Sequence, residues 1–167
     1  MYLLAFIFLV LWSAVGSFDS AYFHDKKFSL HLYPDCKKEH FCHTIRAICF
    51  TVIIFSLFYK NFIGVIFWIG CLAIIIDTVF FILDIIAEKN SRKKWGGLSH
   101  GEYAAHLLSN TLHYCAITTI LLAKFYLDPS IVHPLYLSYF SLILVIGGSI
   151  TSIQHIWRLY KLNNYRL

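Results

Sequence analysis

Long apolar runs separated by short polar breaks organise this chain. Five runs predict membrane helices at about 2–21, 39–59, 62–87, 102–126 and 134–160. Each is close to the roughly 20 residues that cross a 30 Å hydrocarbon core. The breaks carry helix-ending and helix-starting signals. A polar loop runs from Tyr22 to Lys38 and closes on Pro34-Asp35, with Asp35 placed to cap the second helix. Lys60-Asn61 and Asp128-Pro129 make tight turns, and Gly96-Gly97 ends the third helix. Ser99 and Glu102 have the spacing of a capping box for the fourth. The first run lacks the basic segment of a signal peptide and is read as a span. The expected fold is a single all-α domain, a polytopic membrane bundle of about five transmembrane helices.

Within those helices the ionisable residues lie in stripes. Glu102, His106 and His113 are four and seven residues apart, which places them within roughly 40° on a helix of about 100° per residue. Glu39, His43 and Arg46 repeat that layout, and Asp77, Asp84 and Glu88 form a third stripe at i, i+7 and i+11. An ionisable residue inside a membrane helix marks a functional site by default.

Composition agrees with a membrane protein. The chain is 59% hydrophobic and only 14% charged, against about 25% charged residues in ordinary soluble domains. Its net charge of +5 does not point to nucleic acid, because the distribution has a simpler cause. If five spans alternate direction, 12 of the 14 Lys and Arg residues fall at one side, leaving only Lys60 and Lys124 opposite. The positive-inside rule then predicts an external N-terminus and a cytoplasmic C-terminus. Eight of nine histidines, all but His133, share the basic side, and so do all the acids except Asp128. Topology signals do not require that bias. The five cysteines form no C-x-x-C pair and read as small packing residues.

The stripes predict a metal centre. Glu-x-x-x-His occurs as Glu39/His43 and Glu102/His106, and Asp84/Glu88 has the same spacing. His24 and His155 stand near matching ends of the first and fifth spans, while Asp77 and His113 lie deepest. The expected ligands are thus Glu39, His43, Asp84, Glu88, Glu102, His106 and His155, with His24, Asp77 and His113 as secondary candidates. Carboxylate and imidazole donors on several helices suit iron, expected here as two ions. The expected activity is a di-iron-type oxidoreductase acting on a lipid or other hydrophobic substrate, with an external electron donor. This is similar in style to membrane fatty-acid desaturases and hydroxylases, although their H-x-x-x-H and H-x-x-H-H boxes are absent and only His40-x-x-His43 is present. The alternative is a zinc-dependent hydrolase using His106, His113 and His155, with Asp84 or Glu102 as base, a broad likeness to ceramidase-type membrane hydrolases. Two further readings are a proton relay through Asp77, Asp84 and His113 in a carrier, and haem held by His113 and His155. A purely structural set of ion pairs is the remaining alternative. Gly-rich phosphate loops and G-x-S-x-G are absent.

Overall fold

The apolar runs form helices in the computed structural model, which describes residues 1–127 and 132–164. Five helices follow one another: α1 (Tyr2–Phe18), α2 (Lys37–Ile53), α3 (Val65–Ser91), α4 (His100–Tyr126) and α5 (Leu135–Asn164). No strand occurs among the described residues. The expected Asp128-Pro129 turn and the terminal Arg166 lie outside them.

Among the described residues, four helical units are long and apolar enough to cross a membrane: Tyr2–Lys27, Pro34–Tyr59, Val65–Ser91 and Leu135–Asn164. α4 has similar length but a more polar first half. The outward faces are apolar, as lipid contact requires: Leu3, Ile7 and Leu11 on α1, Ile75, Ile82 and Ile86 on α3, and Ile143, Ile146, Ile150 and Ile153 on α5 are all exposed. A soluble bundle would bury these faces. The chain is an integral membrane helical bundle.

α2 is the central helix, packed against both α3 and α5, while α1 packs against α4. The main core, which includes Leu9, Ile53, Leu57, Phe58, Ile117, Ile120 and Leu137, fills the bundle away from the lysine-rich end. Gly148 of α5 allows close approach to α2, because a Cβ there would lie 2.6 Å from Thr51 Oγ1 and 3.3 Å from Phe50. At the lysine-rich end a second cluster, Phe23, Phe28, Leu30 and Cys36, closes over the bundle with Trp95 against it. Between the two apolar layers lies a polar one.

Three local expectations change. The helix of α1 does not stop before the polar loop but continues as a π-helix over Asp19–Lys27. Asp35 does not cap α2; it sits in a 3-10 turn (Pro34–Cys36), and α2 begins after Cys36 with no side-chain cap. Only half of the capping box forms on α4: Ser99 Oγ accepts from the Glu102 N–H at 3.4 Å, but the Glu102 side chain turns to a stronger partner described below.

Candidate metal centre

The first group of ligand-type atoms comes from α1 and α4. In an α-helix, residues four apart share a face. In a π-helix the i→i+5 winding does the same for residues five apart. The π segment after α1 thereby brings Asp19 and His24 to one side, facing His106 of α4. Asp19 Oδ2 is 3.6 Å from His24 Nε2 and 3.2 Å from His106 Nε2, and the two imidazole nitrogens are 3.2 Å apart. A point equidistant from these three atoms lies about 1.9 Å from each, close to the roughly 2.0–2.2 Å of nitrogen and oxygen bonds to such metals. The His106 ring is held from behind by Glu88, whose Oε1 is 2.8 Å from Nδ1. A carboxylate in that position orients a ligating histidine and leaves Nε2 free for the metal.

The second group is built on α2. Glu39 and His43, four residues apart, combine with His24, and one ligand atom from each lies within 4.8 Å of the others. Asp84 of α3 adds to it. His43 Nε2 is 3.5 Å from both Glu39 Oε1 and Asp84 Oδ1, too long for a good hydrogen bond to either. Among the described residues, Asp19 Oδ1, His43 Nε2 and Asp84 Oδ1 are buried without any hydrogen-bond partner. Buried polar atoms left in that state are costly, and a cation beside such an atom would offset the cost. His24 belongs to both groups, so the two candidate seats adjoin at one residue.

A frame of two arginines surrounds the seats. Arg92, in the α3–α4 connection, is fully buried. It donates to both oxygens of Glu39, at 2.7 and 2.9 Å, and through Nε and one terminal nitrogen to Glu102 Oε1, at 2.8 and 2.6 Å. Ser91 adds a hydroxyl bond to Glu39. Burial opposes the charge on Arg92, but the Glu39 and Glu102 carboxylates outweigh it and hold the guanidinium above its already high ordinary pKa. Deeper in the bundle, Arg46 donates to Asp77 and Asp84 at 3.3 Å each and to Asn110 at 2.7 Å. His113 Nε2 is 3.2 Å from Asp77 Oδ2, and the Tyr114 hydroxyl reaches the same oxygen at 3.4 Å.

No known protein family matches this chain, and no characterised protein or solved structure is detectably similar to it.

Of the residues singled out from sequence, the structure brings His24, Glu39, His43, Asp84, Glu88 and His106 together. Glu102 is not at either seat. The arginine folded back from the Gly-Gly turn takes one of its oxygens, and the other, Oε2, has no partner among the described residues. Asp77 and His113 pair with each other beside Arg46 rather than facing a seat. His155 packs its ring on His40 at 4.9 Å and supplies its backbone carbonyl to His40 Nε2 at 3.2 Å. The histidines of the zinc alternative, His106, His113 and His155, thus occupy three separate environments, and His113 and His155 do not face one another as a haem pair would. His155, His24, Glu39 and His43 line a cavity of about 10 Å³ beside the second seat, close to the space of one water.

Two participants escaped the sequence reading. Asp19 stands five residues from His24, a spacing that separates side chains on an α-helix. Arg92 looked like one more basic loop residue.

Proposed function

We propose that this protein is a membrane-embedded metalloenzyme, a di-iron-type oxidoreductase acting on a lipid-like substrate at the basic end of the bundle, which faces the cytoplasm. The observation that carries the reading is the Asp19–His24–His106 triangle. Three ligand-type atoms from two helices face a common point at metal-bonding distance, with His106 oriented by Glu88.

Charge supports it. The polar layer holds six carboxylates, from Asp19, Glu39, Asp77, Asp84, Glu88 and Glu102, against the two guanidinium groups of Arg46 and Arg92. With neutral histidines, four negative charges are left in a low-dielectric layer that does not tolerate them. Two divalent cations balance that charge. The donor set, three imidazoles and three carboxylates with no thiolate, is of the nitrogen-and-oxygen kind that suits iron, and helical bundles hold iron pairs with carboxylates and histidines from facing helices.

Each side chain then has a defined task. Asp19, His24 and His106 would hold one ion and His24, Glu39 and His43 the other, with Asp84 beside His43. Arg92 and Glu102 position Glu39, and Arg46 positions Asp84. The bound metal would supply oxygen chemistry: one oxygen atom enters a C–H bond and the other leaves as water, with two electrons and two protons drawn from a reductase partner. Phe18, Tyr22, Tyr103 and Leu107 are exposed near Asp19 and His106 along the chain and form a lipid-facing approach for a hydrophobic substrate.

Elemental analysis of detergent-purified protein tests the proposal. About two irons per chain are expected. One zinc per chain would transfer the reading to a hydrolase, and a metal-free protein would leave the layer as a structural or proton-carrying ion-pair network.

A further inference from the structure

A second polar feature lies outside the bundle, where α2 begins and α3 ends. A groove of about 610 Å³ is lined by Pro34, Asp35, Lys37, Lys38, Asn90, Ser91, Lys93 and Lys94. Its four lysines are exposed, and none is in an ion pair among the described residues. Asp35 is the one carboxylate present. Lys94 Nζ rests over the rings of Tyr33 and Trp95, and with Lys37, Lys38 and Lys93 it gives the concavity a positive charge that favours an anion.

The surroundings specify what kind of anion. α2 and α3 are both apolar enough to cross a membrane. Tyr33 and Trp95 meet edge-to-face at 5.4 Å beside the lysines, a pairing typical of the headgroup level. Directly below, Phe41 on α2 and Leu83 and Ile86 on α3 are exposed. Phe41 follows Lys37 by four residues, and Leu83 and Ile86 precede Asn90 by seven and four, so both apolar strips continue the groove-lining faces. A basic head site above an apolar strip matches the two ends of a phospholipid.

We propose that this groove is a binding site for an anionic phospholipid, its phosphate held by Lys37, Lys38, Lys93 and Lys94 and its acyl chains lying along the α2–α3 face. Basic pockets between membrane helices recognise anionic headgroups in this way. The site is separate from the polar layer, apart from Ser91, whose hydroxyl is bonded to Glu39, and it does not depend on any metal there.

The test is native mass spectrometry of the full chain, purified in detergent and offered equal amounts of phosphatidylglycerol and phosphatidylcholine. Retention of phosphatidylglycerol in clear excess is expected. The double variant Lys37→Gln/Lys94→Gln should lower that retention about tenfold or more, with helix content and metal content unchanged. Equal retention of the two lipids would overturn the proposal. So would wild-type retention by the variant in which all four lysines are glutamine. If inorganic phosphate displaces the lipid at concentrations where chloride does not, the groove is a soluble-anion site and the lipid assignment fails.

Discussion

His106 is the side chain with the most to lose from a substitution, because both of its ring nitrogens are engaged. Nε2 faces Asp19 and His24, and Nδ1 faces Glu88. His106→Ala should empty the first seat while the helices stay inserted, whereas His155→Ala, outside both seats, should leave metal content unchanged. Elemental analysis of the two variants distinguishes them, and equal metal loss in both would remove the triangle as the binding site. Glu88→Gln should weaken metal binding by about 10–100-fold without abolishing it, as expected for a residue that only orients a ligand. A titration with the metal against a competing chelator measures it. Outside the membrane layer, His31 offers a pH prediction. Partial burial and then the nearby Arg158 charge lower its pKa, against an opposing pull from Asp25. The native state therefore favours the neutral ring. The stability this adds is present above the unfolded pKa of about 6.5 and is lost as pH falls below it and through the lower folded-state pKa. Arg158→Gln should move the His31 titration upward in an NMR pH series, and an unmoved midpoint would assign the shift to burial alone.

The helices themselves were legible from sequence because each apolar run is long and ends in turn chemistry. The end of α4 at Tyr126 matches the expected 102–126, and its start lies two residues earlier, at His100. What sequence periodicity missed is winding. Counting in steps of four found Glu39/His43 and placed His106, but it gave no reason to pair Asp19 with His24, since only the π segment makes a step of five cofacial. Inserting one alanine after Ser20 would separate Asp19 and His24 by six positions and rotate one away from the other. Metal content should fall while circular dichroism keeps its helical signal, and a fully loaded insertion variant would show that the π winding is incidental. Packing gives a second case. The Gly147-Gly148 pair marks a close helix contact, but only Gly148 makes one; a Cβ on Gly147 meets nothing within 4 Å. The Thr51 hydroxyl that Gly148 approaches is bonded to the Ala47 carbonyl at 3.0 Å and cannot simply turn aside. Gly148→Leu should therefore destabilise the bundle by about 1–3 kcal/mol, the usual cost of overpacking, and Gly147→Leu should do so by much less. Thermal unfolding in one detergent compares them.

The three polar stripes are joined by charges that no single helix reveals. Arg92 connects Glu39 of α2 to Glu102 of α4 from the α3–α4 turn, and Arg46 connects Asp77 and Asp84 of α3 to α2 and to Asn110 of α4. Its role was hidden in sequence because the positive-inside pattern already accounts for a basic residue in that loop. Arg92→Ala would leave two buried carboxylates facing one another, at a cost of about 3–5 kcal/mol. The arginines still leave four negative charges in the layer when the histidines are neutral, and that excess is what ties stability to metal. A ligand bound only by the folded state stabilises it by an amount that grows with its concentration over its dissociation constant. Chelation should therefore lower the melting temperature of the detergent-solubilised protein, and returning the metal should restore it. His106→Ala, which keeps the second seat, should melt between the chelated and the metal-loaded wild type and gain less from added metal than the wild type does. A wild-type melting temperature indifferent to both chelation and metal would mean that protonated histidines balance the carboxylates, and the layer would then be an ion-pair network rather than a catalytic centre.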